Sequence, residues 1–151
     1  MKHLIFYIAL ILSFSLNAHQ PKIINYSPSI DDPHEVINPE ISKAYYGKLT
    51  GKPHYYVIRN EEDFLFYTSI LSPKVNDNYT WLSIEVLDEN KNLIYKADGS
   101  KFDWTAWYEP YARDWYWKGP EIGIKTEKEF QSSFPINGGT YFVKVFNTNN
   151  I

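Results

Sequence analysis

The chain has 151 residues, no cysteine and a formal net charge of −3. This length allows one domain with its own hydrophobic core. The absence of cysteine excludes a disulfide framework, so the domain must be stabilised by packing. The mildly negative charge, without a block of basic residues, argues against a nucleic-acid partner and against electrostatic docking to anionic lipid.

The N-terminus is typical of an exported protein. Lys2 precedes an apolar stretch, and the small residue Ala18 is followed by the polar run His19-Gln20-Pro21-Lys22. This order predicts a secretory signal peptide over residues 1–18, cleaved after Ala18. As a helix, the apolar stretch of roughly 13 residues would rise only about 20 Å, too short to span a membrane. We therefore expect a secreted or periplasmic protein with no transmembrane helix in the mature chain.

The rest of the chain divides into a lead-in and a domain. Residues 19–39 contain four prolines and few apolar patterns, which predicts an extended lead-in outside the packed core. In residues 40–151, short runs rich in Tyr, Val, Ile, Phe and Thr alternate with turn residues, which favours an all-β fold, an antiparallel β-sandwich of jelly-roll or Ig-like type. The predicted strands are Lys43–Thr50, His54–Asn60, Phe64–Leu71, Trp81–Asp88, Leu93–Lys96, Lys128–Phe134 and Thr140–Asn147.

Alternation within two strands predicts which side chains face the core. Leu82, Ile84 and Val86 share one face of their strand, with Ser83 and Glu85 on a wet face. In the last strand, residues 141, 143 and 145 share a face in the same way. The segments 88–92 and 137–139 are predicted turns, because they consist of Asp, Asn, Gly and other residues that tolerate tight turns.

An aromatic segment between Phe102 and Trp117 is the most unusual part of the sequence, since half of its residues are Phe, Trp or Tyr. One hypothesis is a binding surface, in which rings stack on sugars and neighbouring charged groups bind hydroxyls. The alternative is a long loop whose rings complete the core. The candidate ligand-binding residues are Trp104, Trp107, Tyr108, Tyr111, Arg113, Trp115 and Trp117.

Five segments resemble a group of uncharacterised exported bacterial and archaeal β-sandwich proteins. They are Pro39–Gly47, Tyr55–Ile58, Ile70–Pro73, Trp115–Glu121 and Gly139–Asn147. The closing Gly-Thr-Tyr-x-Val-x-Val strand is also similar to the last strands of jelly-roll modules, such as pre-peptidase C-terminal domains and carbohydrate-binding modules. The resemblance implies a non-catalytic accessory fold. It also implies a further strand after Ile151, so that the domain lacks a final strand unless a partner donates one.

Catalytic signals are weak. The sequence contains no Gly-x-Ser-x-Gly elbow, no His-Glu-x-x-His and no phosphate-binding glycine loop. Glycoside hydrolysis needs two carboxyl groups across the scissile bond, and the candidate pairs are Asp103 with Glu109 and Asp114 with Glu121. The alternative is that these acids are solvated surface residues. We predict that the protein is not an enzyme.

Metal and cofactor signals are also weak. None of the four histidines forms a pair with ligand spacing, so no zinc site and no cofactor are predicted. Asp98 and Asp103 are candidate calcium ligands, because they place hard oxygen atoms around the Asp98-Gly99-Ser100 turn. The alternative is an ordinary Asp-Gly turn that leads into the aromatic segment.

The leading hypothesis is therefore a non-catalytic binding or structural module at the cell envelope, with a glycan or an envelope protein as its partner. One alternative is a hydrolase that acts on glycosides or esters through the loop carboxylates. Another is a truncated remnant of a longer membrane-anchored protein.

Overall fold

The computed structural model describes residues 20–75, 80–110, 112–124 and 132–150. Their regular elements are strands, apart from two short 3-10 helices at Gly99–Lys101 and Thr148–Asn150, so the predicted all-β fold is confirmed. The predicted signal peptide lies outside the described residues. Within them, no helix is long and apolar enough to cross a membrane. The strands are β1 (Gln20–Ile24), β2 (His34–Glu35), β3 (Lys43–Gly47), β4 (His54–Asn60), β5 (Phe64–Phe66), β6 (Thr68–Pro73), β7 (Leu82–Leu87), β8 (Leu93–Ala97), β9 (Thr105–Glu109), β10 (Asp114–Ile122), β11 (Phe134–Ile136) and β12 (Gly139–Asn147).

The strands form four sheets. The largest has five strands in the order β2-β4-β12-β7-β8, and a second has the order β6-β10-β9. The remaining strands form the pairs β1-β3 and β11-β5. Most pairings are antiparallel, but β1 with β3 and β2 with β4 are parallel. The last strand, β12, lies between β4 and β7 and is paired on both sides, so the outer strands of this sheet among the described residues are β2 and β8.

One face of the five-stranded sheet carries the main core. Ile58, Ile84, Val86 and Val143 are buried there and pack with side chains from the other sheets. The pairing of Val143 with Tyr56 on one side and with Val86 on the other confirms the predicted alternation of β7 and β12. The core residues from the other sheets are Phe64, Phe66, Ile70, Ile122 and Ile136.

Lysine side chains cover rings on the opposite face of this sheet. Lys144 lies over the buried ring of Phe146, with its ammonium 4.4 Å from the ring centroid. Burial alone would raise the pKa of Glu85, but hydrogen bonds and charges from Lys144 and Lys96 outweigh it and lower that pKa. Ser83, predicted on a wet face, is instead fully buried, and its hydroxyl accepts a hydrogen bond from the backbone N–H of Gly99 at 2.8 Å.

The predicted lead-in contributes to the packed fold rather than lying outside it. It provides β1 and β2, and its residues Ile24 and Pro28 are buried. The carbonyl of Pro28 accepts a hydrogen bond from the Tyr55 N–H at 3.0 Å, and the Val36 N–H donates to the Val57 carbonyl at 2.8 Å. The prolines suggested a break, but Pro28, Pro33 and Pro39 lie between strands, and Pro21 lies in β1, a strand of a two-stranded sheet, where proline is tolerated.

Candidate functional site

The aromatic segment is a β-hairpin rather than a long loop. Asp114 of β10 pairs with Glu109 of β9, so only four residues of the sequence separate the two strands. Arg113 has a positive φ of 54° and donates its backbone N–H to the Glu109 carbonyl at 2.8 Å. The Ala112 N–H also donates a hydrogen bond to the Glu109 carboxylate. Tyr111, a predicted ligand-binding residue, lies outside the described residues.

The hairpin register divides the predicted binding residues between two faces. Tyr108 lies opposite Trp115, and Trp117 lies opposite Ala106, so these side chains share one face. Trp107 pairs with Tyr116 on the other face. The run Trp115-Tyr116-Trp117 therefore does not present three rings to one ligand.

Four side chains on the first face form what we call the aromatic row: Lys74, Trp115, Tyr108 and Trp117. The Lys74 N–H donates to the Trp115 carbonyl at 3.0 Å, which extends the β6 ladder and places Lys74 beside Trp115. Trp115 is 52% exposed and Tyr108 is 45% exposed. Their ring centroids are 5.6 Å apart at an interplanar angle of 63°. Two large rings thus contact each other edge to face on the hairpin, each about half exposed.

The aromatic row begins where the core ends. Trp117 pairs with Ser72, which is buried, and Ser72 has the same strand parity as the core residue Ile70. Trp117 is half-buried, and among the described residues no acceptor meets its buried Nε1. The Lys74 ammonium lies 5.0 Å from the Trp117 ring centroid. The face that packs the core therefore continues past it as an exposed aromatic surface.

Trp104 packs against the core and is not part of the exposed aromatic surface. Its Nε1 donates to the Gly99 carbonyl at 2.9 Å, and its ring packs against the core. The ring also fills the space beside Gly119, where an added Cβ would come within 2.2 Å of it. The hypothesis that the rings complete the core fits Trp104, whereas the exposure of Trp115 and Tyr108 fits the binding hypothesis.

Two candidates do not belong to the aromatic row: Trp107 and Arg113. Trp107 and Tyr116 are half-buried on the opposite face, and Arg113 is exposed in the hairpin loop. Burial raises the pKa of Tyr116, with smaller contributions from Tyr46, Asp114 and Glu109. Trp107 therefore lies on the face opposite Trp115, whereas Arg113 stays a candidate from the sequence.

The predicted calcium ligands do not form a recognisable site. Asp98 caps the 3-10 helix at Gly99–Lys101, because its carboxylate accepts hydrogen bonds from the backbone N–H and the hydroxyl of Ser100 at 3.0 and 2.6 Å. Asp103 is exposed. In the described part of the chain, no group of three or more His, Asp or Glu side chains is placed to hold a metal ion.

The acids considered for hydrolysis have local partners. Glu109 and Asp114 lie opposite each other at the base of the hairpin loop, and Asp114 accepts a hydrogen bond from the Trp115 N–H at 2.8 Å. Glu121 accepts a hydrogen bond from the Tyr67 hydroxyl at 2.8 Å. Burial raises the pKa of Tyr67 to about 12, and Glu121 adds to the increase.

A second aromatic cluster was not recognised from the sequence. It joins the lead-in to the sheet: a 2.8 Å hydrogen bond connects the Tyr26 hydroxyl with His34 Nδ1, and the His34 ring packs edge-on against Tyr45 and Tyr56. Burial raises the pKa of Tyr56 to about 12, with Tyr45 and Tyr26 adding to the increase. These ring contacts pack the lead-in against β3 and β4. Its members are far apart in sequence, so no local pattern identified it.

Comparisons with known proteins complete the description of the site. No protein-family profile, no curated protein and no solved structure matched the chain. The resemblance to exported β-sandwich proteins and to jelly-roll modules therefore stays a prediction, and the geometry of the hairpin is the main guide to function.

Proposed function

We propose that this chain is a secreted or periplasmic, non-catalytic β-sandwich module that binds a glycan through the aromatic row. The observation that carries the proposal is the pair Trp115 and Tyr108, which is about half exposed on one face of a sheet. The proposed sandwich consists of the five-stranded sheet and the smaller sheets that pack on its core face.

Two rings that are each about half exposed offer a binding surface for a ligand with apolar faces. A buried aromatic side chain typically removes 150–250 Å² from water. At roughly 25 cal/mol per Å² of apolar area, leaving half of two such rings in water forgoes several kcal/mol of stabilisation. The C–H faces of a sugar ring would cover this area. A flat sugar face fits onto an open sheet surface and does not require a deep pocket.

Polar groups at the ends of the row suit the hydroxyls of the same ligand. Residues Lys74 and Tyr108 flank Trp115 on the two neighbouring strands, and the Lys74 ammonium lies 5.0 Å from the ring centroid of Trp117. The ammonium donates hydrogen bonds and the phenol both donates and accepts them, so sugar hydroxyls or an acidic substituent find partners beside the rings. Because the rings belong to paired strands, little conformational entropy is lost when a ligand binds.

The proposal is tested by measuring binding to a panel of neutral and acidic oligosaccharides with the wild-type protein and with Trp115→Ala and Tyr108→Ala. We expect each substitution to weaken binding by about tenfold or more, since a lost stacking contact of about 1.4 kcal/mol changes the dissociation constant tenfold. The thermal melt of both variants should stay cooperative, because the rings lie outside the core.

Trp81→Ala is the matched control. Trp81 is 40% exposed and precedes β7 of the other sheet, and its hydrogen bonds to Thr148 use only the backbone carbonyl. The control should bind like the wild type. Failure of the wild-type protein to bind any member of the panel, or an equal loss in the Trp81 variant, would refute the proposal. A collapse of the melt in the Trp115 and Tyr108 variants would show that the row is structural.

A further inference from the structure

A cavity of about 280 Å³ lies on the five-stranded sheet, on the face that points away from the core. Tyr55 of β4 pairs with Lys144 of β12 and both residues line the cavity, whereas the neighbouring Val143 faces the core. The rest of the lining comes from residues 49–53 and from the end of β12. The volume is close to the lower end of the range for small-molecule sites, so a ligand of one ring would fit.

The cavity has an excess of positive charge, although the whole chain has a net charge of −3. Residues 41–60 and 138–151, which include the lining, contain five Lys or Arg side chains and no Asp or Glu. Glu85, which binds the Lys144 ammonium at 2.8 Å, also binds a second lysine, so it does not cancel this excess. Lys52 lies in the lining, and its ammonium has no acidic partner among the described residues. The local charge therefore favours an anionic ligand.

Hydrogen-bond donors and apolar side chains meet in the same lining. Among the described residues, the Tyr55 hydroxyl and the side-chain amide N–H groups of Asn147 have no hydrogen-bond acceptor. The apolar part of the lining consists of Leu49, Pro53 and Phe146. A cation and free donors bind an oxyanion, and apolar side chains bind the body of the same molecule. The cavity therefore suits a ligand that carries both.

We propose that this cavity binds a small organic acid, a carboxylate carried on a single six-membered ring. The Lys52 ammonium binds the carboxylate, and the ring lies against the apolar part of the lining. One carboxylate matches the site because the Lys144 ammonium is already bound to Glu85, which leaves Lys52 as the lining cation that needs a counter-charge. An aromatic acid and a uronic acid share this chemistry. The cavity has no residue in common with the aromatic row, so the proposal does not depend on glycan binding there.

The first test is a nuclear magnetic resonance titration of the full-chain protein with benzoate and with glucuronate. Benzyl alcohol and glucose are the matched neutral probes. We expect at least one of the two acids to shift the backbone signals of residues 49–55 and 144–147, and its neutral counterpart to bind about tenfold more weakly or less. The acid that binds distinguishes an aromatic from a sugar ligand, and the position of the shifts separates this cavity from the aromatic row.

The second test repeats the titration with three variants whose thermal melts verify that they are folded. Lys52→Gln should weaken binding of the acid about tenfold, because it removes the charge that the carboxylate needs. Asn147→Asp keeps the 2.9 Å hydrogen bond from the Asn149 N–H but adds a carboxylate to the lining, so it should abolish binding. Lys48→Gln is the matched control, because Lys48 is exposed in the same loop but does not line the cavity.

The control should bind the acid nearly as well as the wild type does. Three results would overturn the proposal. They are the absence of shifts in the two segments with either acid at tens of millimolar, neutral probes that bind as tightly as the acids, and an equal loss of affinity in Lys48→Gln and Lys52→Gln.

Discussion

We expect the buried imidazole of His54 to make the stability of the fold sensitive to pH. It is 2% exposed, its Nε2 has no hydrogen-bond partner among the described residues, and it lies beneath Gly47 of β3. Burial lowers the pKa of His54, and it also lowers that of His34. Below pH of about 6.5, the ordinary pKa of His, the unfolded chain therefore binds protons that the folded chain does not yet bind.

We predict that the free energy of unfolding decreases as the pH falls from 7.5 through 6.5 towards the lowered pKa. Urea unfolding at pH 7.5 and at pH 5.5 measures the difference. His54→Leu replaces the buried imidazole with an apolar side chain of similar size and should reduce this pH dependence, while His34 retains its part. If the wild type and the variant lose stability in parallel, His54 is not responsible.

Two tryptophans of the same segment should respond differently to the same substitution. Trp104 Nε1 donates to the Gly99 carbonyl, whereas Trp117 Nε1 is buried without an acceptor among the described residues. Trp104→Phe should lower the free energy of unfolding, by about 1 kcal/mol for the hydrogen bond and by more for the lost packing over Gly119. Trp117→Phe removes an unsatisfied donor and should cost less. Urea melts of the two variants measure both changes in the free energy of unfolding. An equal decrease in the two variants would contradict the structural role assigned to Trp104.

At the level of elements, one buried hydrogen bond joins β7 to the 3-10 helix that follows β8. The Gly99 N–H donates to the Ser83 hydroxyl at 2.8 Å, and Ser83 is fully buried. Ser83→Ala leaves that N–H without a partner and should cost about 1–3 kcal/mol in urea unfolding. Ser100→Ala, which removes an exposed hydroxyl bonded to Asp98, is the control and should cost less. An unchanged free energy of unfolding in Ser83→Ala would show that another group accepts the hydrogen bond of the Gly99 N–H.

The strands that were predicted from the sequence are those with clear local patterns. β4, β7, β8 and β12 were predicted to within a residue or so at each end, because alternation and turn residues define them. The hairpin strands β9 and β10 were missed. Gly119 and Pro120 suggest a turn, but they lie in an irregularity of the β10 ladder between Lys118 and Glu121, where a strand tolerates them.

At the scale of the whole molecule, the sequence identified the segment that holds the candidate site but not the rings that it exposes. The density of aromatic residues in the sequence identified the segment. Which of its rings are exposed depends on residues that are distant in the chain: β6 places Lys74 beside Trp115, and the ring of Trp104 packs against Gly119. No local pattern contains these contacts, so the division into a structural Trp104 and an exposed Trp115 required the three-dimensional arrangement.

The position of the last strand in its sheet is not visible in its own sequence. β12 lies at the centre of the five-stranded sheet and pairs with β4 and β7. The further strand after residue 151 that the resemblance implied stays a prediction. Sheet order is decided by pairings over long sequence distances, such as that of β12 with β4.

The measurement that tests the central claim most directly is a nuclear magnetic resonance titration of the tryptophan indole N–H signals with the oligosaccharide that binds most tightly. The chain has five tryptophans and hence five such signals. We predict that the Trp115 signal shifts most, that of Trp117 shifts less, and those of Trp104 and Trp81 stay in place. Shifts centred on Trp104 or Trp81, or no shift at any indole at saturating ligand, would contradict glycan binding by the aromatic row.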